Sequence, residues 1–408
     1  MKLLLKPYDF QLEGVELAYK KRYSINAFTM GLGKTLVGIA LAVKAQSKRV
    51  LVICPAFLKP NWEMEIEKFC SVPSRFEVTS YEKVKHIEDQ FHLYDTILID
   101  EAHYLKSLKA KRTQRIHKLV KGHRPKYLLL LTGTPVKNRV PEFYSLLLLC
   151  WYGGRYPEFS KFSDSSWDFQ CRYTNKRTIY YGQRKVTSFE GLKNVAELKQ
   201  LIKPIYLRRR AEDVLSLPEE NHSDVVIADT SKNDLLIQEA WARYQGKKDA
   251  SSFSSAKAVN ALSKVSFTVE FVRNLLEEAS GVVVFTDHIQ AAVAIARDFP
   301  MDDVRYVTGR TKITDRAKYV EELNSGKVKI LVSTIGSLSV GVNLTGVNYM
   351  VFNDFAWVEA DMAQARKRIH RIGQKNRCFY YYIYSSKIDK HIHKTLKEKQ
   401  KLIQGLET

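Results

Sequence analysis

The stretch Thr29-Met30-Gly31-Leu32-Gly33-Lys34-Thr35 constrains the fold of this chain more than any other. A short apolar run, Ile25 to Phe28, precedes it. Leu36-Val37-Gly38-Ile39-Ala40-Leu41-Ala42 follows, with the composition of a buried helix. Strand, glycine turn and helix N-terminus in that order make an anion site, because backbone N–H groups and the positive end of the helix dipole converge on phosphate oxygens. Lys34 is placed for the β and γ phosphates of a nucleotide, and the Thr35 hydroxyl for Mg²⁺. The complete pattern carries a glycine five positions before Gly33, where this chain has Phe28. Taken alone, the motif also reads as a glycine turn beside a solvated lysine.

The surrounding pattern favours the first reading. Val50 to Pro55, Phe76 to Thr79, Thr96 to Ile99 and Tyr127 to Leu131 are apolar runs of strand length, separated by amphipathic segments such as Pro60 to Phe69. This β-α alternation predicts an α/β fold with a parallel sheet covered on both faces. Chemistry in such sheets gathers beyond the carboxyl ends of the strands. The glycine loop, Asp100-Glu101 and Thr132-Gly133-Thr134-Pro135 all fall at that edge. Asp100 at a strand end can be held rigidly near Mg²⁺, and Glu101 can orient an attacking water; the pair suits metal-assisted phosphoanhydride hydrolysis. The same pair also reads as a helix N-cap. Upstream, Tyr8 to Tyr19 has helical spacing. Gln11 on it can donate to and accept from one adenine edge while Phe10 stacks on the ring, or it is an ordinary surface glutamine.

From Trp151 to about Gly281 the alternation fails. The arginine-bearing Leu207 to Pro218 reads as a charged crossing or a solvated linker, Gly246 to Ser255 as a polar loop, and Ala256 to Ala279 as a helix. Strands return at Val282 to Phe285, Val304 to Val307, Ile330 to Ser333, Tyr349 to Phe352 and Phe379 to Tyr384. In Gln364 to Gln374, Arg368 and Arg371 are three apart and share a face if the segment is helical. Two guanidinium groups so placed can reach a γ-phosphate, or form a basic face toward a phosphate backbone or water. His370 between them reads as a packing or hydrogen-bonding residue rather than a base. A last helix with Ile388, Ile392, Leu396, Ile403 and Leu406 at helical spacing braces the second half.

A chain of 408 residues accommodates two or three domains. Lys and Arg number 65 against 44 Asp and Glu, a formal charge of +21 that favours a polyanionic partner. Five scattered cysteines with no C-x-x-C pair argue against a disulfide framework or zinc site and fit a reducing compartment. The apolar Leu3-Leu4-Leu5 ends too early for a signal peptide, and no apolar run is long enough for a bilayer. A cytoplasmic protein of a bacterial or virus-infected cell, with no membrane partner and a monomeric state, is expected.

These motifs in this order resemble the Swi/Snf-type branch of the superfamily-two helicases, from about Lys6 to about Lys399. Gln11 to Val15 is similar to that family's adenine-reading motif, Met30 to Thr35 to its phosphate loop, and Asp100 to His103 to its DEAH-type motif. Thr132 to Pro135 with Asn138 is similar to motif III, and Leu207 to Pro218 to the arginine-rich link between lobes. Ser333-Thr334 through Gly341 to Thr345 resembles motif V. Gln364 to Gln374 closely matches motif VI. Ala261 to Val265 leading to Phe285 looks like the annealing-helicase, HepA-related branch. This chain departs from the pattern at Phe28-Thr29, at Ser337-Leu338-Ser339, and at Arg366-Lys367, where the basic pair is expected to add positive charge near the cleft.

The resemblance implies two RecA-like lobes, an ATP-binding lobe at 1–155 and a C-terminal lobe at 261–408, with a linker and helical insertions at 156–260. It implies ATP and Mg²⁺ as cofactors. Lys34, Asp100, Glu101, Arg368 and Arg371 carry catalysis; Thr35 and Asp100 hold the metal. Phe10, Gln11, Met30, Gly31, Leu32, Gly33, Lys34, Thr35 and Gly341 bind the nucleotide. Pro55, Thr132, Gly133, Thr134, Ser333, Thr334, Trp357 and Gln364 contact DNA or couple it to hydrolysis. The implied activity is ATP-driven movement along double-stranded or branched DNA. An RNA-stimulated ATPase and a hydrolysis-silent DNA-binding scaffold are the alternatives.

Overall fold

The computed structural model describes residues 1–29, 31–133, 140–181, 184–227, 234–247, 250–338 and 342–396. The chain divides into two compact units between Val214 and Leu215. In the first, strands β1 (Tyr23–Asn26), β2 (Val50–Cys54), β3 (Phe76–Ser80), β4 (Thr96–Asp100) and β5 (Tyr127–Leu131) form one sheet. An antiparallel hairpin, β6 (Asn175–Tyr181) and β7 (Arg184–Glu190), stands apart from it. The two-residue β8 (Tyr206–Leu207) closes the sheet in the order β3-β2-β4-β5-β1-β8. The second unit holds β9 (Glu220–Val226), β10 (Val282–Thr286), β11 (Val304–Val307), β12 (Ile330–Thr334), β13 (Tyr349–Phe352) and β14 (Cys378–Tyr384), ordered β11-β12-β10-β13-β14-β9. Pairing within both six-stranded sheets is parallel. Central strands such as Val50–Cys54, Tyr127–Leu131 and Val282–Thr286 are buried along their whole length, as parallel strands covered on both faces must be.

Three of the helices in the first unit matter for the site: α1 (Asp9–Lys21), α2 (Lys34–Lys44) and α3 (Lys59–Phe69). Gly38 of α2 fills a packing role. A Cβ there would lie 3.1 Å from Leu98 and 3.2 Å from the Trp62 ring, so its absence lets Trp62 of α3 lie flat against the helix.

The stretch 156–260 is shared between the two units. Tyr156, Phe159, Phe162, Phe169, Tyr173, Leu198 and Leu201 belong to the first core, and Ile237, Phe253 and Ala256 to the second. The expected loop at Gly246 to Ser255 is largely helical, with helices at Asp234–Lys247 and Ala250–Ser263. The expected continuous helix from Ala256 to Ala279 is instead divided at Lys264, with its second part at Val265–Leu275. The reason is the lysine. Its fully buried ammonium donates to the Ile383 carbonyl at 3.0 Å and to the Asp389 carboxylate at 2.9 Å, tying the break to β14 and the last helix. That helix, 387–396, buries Ile388, Ile392 and Leu396, as the spacing predicted; Ile403 and Leu406 lie outside the described residues.

Candidate functional site

Within the first unit three adjacent strands, β4, β5 and β1, end side by side and deliver the expected residues to one sheet edge. β1 leads into the glycine loop. Gly31 and Gly33 have φ of 86° and 71°, the left-handed region that glycine enters without steric cost. Gly33 is the residue before α2, so the loop turns directly into the helix N-terminus at Lys34-Thr35. The Lys34 ammonium donates to the Phe28 carbonyl at 3.0 Å and reaches the Thr29 carbonyl at 3.5 Å.

Gln11 braces this loop. Its Nε2 donates to the Leu32 carbonyl at 2.9 Å, and its Oε1 accepts from the Tyr8 N–H at 2.9 Å. A Cβ on Gly33 would sit 2.5 Å from that Nε2, so a side chain there would push the Gln11 amide off the loop, in addition to the strain of φ 71°. The two amide atoms that the sequence assigns to adenine are thus the two that hold the loop and the start of α1. Phe10 stacks on Tyr8 at 5.6 Å and packs at a tilt against Phe28 at 5.7 Å. Met30 lies outside the described residues, as do Thr134 and Gly341.

β4 ends on Asp100, which is buried. Trp62 Nε1 donates to one carboxylate oxygen at 2.8 Å, and the Glu101 N–H to the other at 2.9 Å. Burial and the neighbouring Glu101 charge raise the Asp100 pKa to about 6, against the Trp62 hydrogen bond, the Lys34 charge and the Glu101 N–H, which lower it. A divalent cation relieves the same desolvation, and two bound donors leave further lone pairs on the oxygens. Mg²⁺ commonly takes one or two protein oxygens and completes its shell with phosphates and water. The Asp100 carboxylate, near enough to Lys34 for its pKa to be lowered by that charge, has the chemistry of such a ligand, and Thr35 follows Lys34 at the start of α2.

Glu101 stands at φ 50°, a conformation that costs a non-glycine residue about 1–3 kcal/mol. Tyr81 holds it there, its buried hydroxyl donating to the Asp100 carbonyl at 2.7 Å and reaching the Glu101 carbonyl at 3.2 Å. A polar chain leads onward: Glu101 Oε2 lies 3.1 Å from His103 Nδ1, and the same nitrogen is 3.4 Å from the Thr132 hydroxyl, at the end of β5. Glu101 and the residue after β5 therefore meet at one imidazole nitrogen. Pro55, beyond β2, is buried and its carbonyl caps the following turn at Leu58.

Trp62 and Tyr81 were not legible as site residues. One lies in a polar helix and the other in a turn after β3, and neither belongs to a local pattern with Asp100. Trp62→Phe keeps the ring against Gly38 and removes one donor from a buried carboxylate. The Asp100 pKa then rises further, so more of it is protonated at a given pH. The acid limb of kcat/KM, which reports the free enzyme, is expected to move to higher pH. A pH–rate profile that superimposes on wild type would remove Trp62 from the site.

In the second unit the expected helical face does not form. The helix Glu359–Arg366 stops before the arginines, and residues 367–373 continue as tight turns in which Arg368 N–H bonds Ala365 and Ile369 N–H bonds Arg366. The two guanidinium groups still converge: Arg368 Nη1 donates to the Val342 carbonyl at 3.1 Å and Arg371 Nη1 to the same oxygen at 3.2 Å. Leu344 N–H donates back to the Arg368 carbonyl at 2.9 Å, so the residues after Gly341 and the arginine turn are stitched together. Arg366 and Lys367 do not add free positive charge. Arg366 is paired with Glu359, and Lys367 lies 3.8 Å from Glu220.

Other second-unit residues are placed at separate points. The Ser333 hydroxyl bonds the Thr334 carbonyl at 3.0 Å, and the Thr334 and Ser337 hydroxyls are 2.6 Å apart, at the carboxyl end of β12. Gln364 is buried on the helix. Trp357 packs edge-on against Phe253 at 4.8 Å. No helix among the described residues is long and apolar enough to cross a membrane.

Residues 75–277 match the SNF2-related domain family and residues 264–373 the helicase conserved C-terminal domain. The SWI/SNF-related matrix-associated actin-dependent regulator of chromatin subfamily A-like protein 1 of Xenopus tropicalis is 26% identical over 430 residues, 97% of this chain and 44% of that protein. The DNA annealing helicase and endonuclease ZRANB3 of Mus musculus is 25% identical over 427 residues, 94% of this chain and 39% of that protein. This chain thus spans less than half the length of either. The uncharacterized ATP-dependent helicase YqhH of Bacillus subtilis (strain 168) is 24% identical over 459 residues, covering 96% of this chain and 78% of that protein. A solved Sulfolobus solfataricus SWI2/SNF2 ATPase core in complex with dsDNA aligns over 98% of this chain and 94% of that one, at 22% identity and a TM-score of 0.41, too low to carry weight. Two domain families in their expected order, on two parallel sheets with a phosphate loop and an acidic pair at one edge, make this chain a member of the SNF2 family, an ATPase of helicase superfamily two.

Proposed function

We propose that the chain uses ATP hydrolysis to move along double-stranded or branched DNA, remodelling or annealing it or displacing bound protein. Gln11 and Phe10 recognise adenine, the base exchanging for the Leu32 and Tyr8 partners that the Gln11 amide holds in this structure. Lys34 and the loop N–H groups hold the phosphates, Glu101 orients the attacking water, and Arg368 and Arg371 stabilise charge on the γ-phosphate. Thr35 and Asp100 are the residues to hold Mg²⁺, which supplies neutralisation of phosphate charge when bound. Loss of the γ-phosphate releases the arginines, and the cycle becomes steps along the track.

The observation that supports this reading is the meeting of the Glu101 carboxylate, at 3.1 Å, and the Thr132 hydroxyl, at 3.4 Å, on one nitrogen of His103. It gives the hydrolytic carboxylate a physical connection to the loop in which motif III coupling to nucleic acid is expected. The +21 formal charge and the relatives' names, which include a DNA annealing helicase, support DNA as the track. Contacts are expected mainly to phosphate, since a motor must ignore sequence.

The test is ATP turnover with duplex, forked, four-way and single-stranded DNA and with RNA. Duplex or branched DNA is expected to stimulate most, with affinity falling steeply between low and moderate salt as counterions are released. Stimulation by RNA alone would replace this reading with an RNA-stimulated ATPase. DNA binding with no turnover on any substrate would make the chain a scaffold.

A further inference from the structure

The segment that crosses from the first unit to the second is pinned at both ends, each time by a residue beside a catalytic feature. In the first unit β8 pairs with β1. Thr29, just ahead of the glycine loop, then donates its N–H to the Arg209 carbonyl and accepts from the Ala211 N–H through its hydroxyl, both at 3.0 Å. The Thr29 carbonyl is one of the two that face the Lys34 ammonium. In the second unit the arriving chain meets His370. Its Nε2–H donates to the Pro218 carbonyl at 2.7 Å, and its Nδ1 lies 3.2 Å from a Glu220 carboxylate oxygen. Glu220 opens β9, which pairs along its length with β14, and it also accepts from the Tyr380 hydroxyl at 3.1 Å.

His370 stands between Arg368 and Arg371 in a turn that no longer has helical hydrogen bonding. Two of the fasteners on that turn, the Val342 carbonyl and the Leu344 N–H, come from the loop after β12. The buried imidazole provides the fastener to the crossing segment. A histidine needed only for packing would require neither the carbonyl nor the carboxylate it has.

We propose that His370 is a positioning residue for the arginine pair, and that it takes its register from the 209–220 segment whose other end is held by Thr29. The proposal rests on the reading above that these arginines act on the γ-phosphate.

The experiment measures DNA-stimulated turnover and the affinity for a fluorescent ATP analogue in the full chain. His370→Ala is expected to lower kcat roughly 10- to 100-fold, the scale of losing one hydrogen bond and leaving its partner unsatisfied, with nucleotide affinity near wild type and Tm lowered by the space the ring leaves. His370→Gln, whose amide can still donate to the Pro218 carbonyl, is expected to restore most of the rate. Thr29→Val removes the hydroxyl at the other end of the segment without changing side-chain size. Combined with His370→Ala, it should cost less than the product of the two single losses, because both act on one connection. Multiplicative losses overturn the linkage. Unchanged turnover in His370→Ala, or equal losses of affinity, Tm and rate with no recovery in Gln, overturn the positioning role. If Arg371→Ala also leaves turnover intact, the failure lies in the arginine reading itself.

Discussion

Replacing Lys34 with alanine is expected to reduce ATP turnover by at least about 10²- to 10³-fold, the scale of losing one fixed cationic or hydrogen-bond donor from a developing phosphate charge. Alanine is the best helix former, and Lys34 is the first residue of α2, so the helix and the sheet beneath it survive. The ammonium rests on the Phe28 and Thr29 carbonyls. DNA affinity should stay within a few-fold of wild type, because the proposed DNA contacts do not include Lys34. Turnover measured beside fluorescence anisotropy on labelled duplex separates the two quantities. Normal turnover would take Lys34 out of the mechanism.

For Arg371→Ala the expected result is a loss of about 10³-fold or more in turnover with nucleotide affinity changed only slightly, because an arginine that acts on transition-state charge contributes there and not to ground-state binding. Arg371 is the cleaner of the pair to change. Arg368 is 2% exposed, so truncating it opens a hole in the core. Arg371 is only partly buried, and its removal leaves the Val342 carbonyl still served by Arg368. Equal losses in turnover and affinity would assign Arg371 to ground-state binding.

Much of the site was legible because its chemistry depends on short, local spacing. The glycine loop, the strand-end acids and the threonine after β5 are each set by a few consecutive residues, and each lies at a carboxyl strand end, where a parallel sheet gathers them. The edge strand β9 was not legible. Glu220-Asn-His-Ser-Asp-Val-Val is polar and mostly exposed, and it earns its pairing only from β14 beside it. The arginine turn misled for a related reason. Three-residue spacing fits a helix face, but the carbonyl of Val342 and the N–H of Leu344 offer partners that helical hydrogen bonding would have to displace.

The sequence by itself determined the fold class, the order of the motifs and the family. Those follow from the period of apolar residues and from the few residue types that can cradle a phosphate. Only the tertiary structure decided what surrounds each group: Trp62 and Tyr81 around Asp100, Gln11 behind Gly33, Glu359 and Glu220 beside Arg366 and Lys367, and His370 on the crossing chain. The physical reason is separation. These partners lie roughly 7 to 150 residues from the groups they serve, and a hydrogen bond at that distance in sequence leaves no periodic trace; it exists only once both strands are packed into the same core.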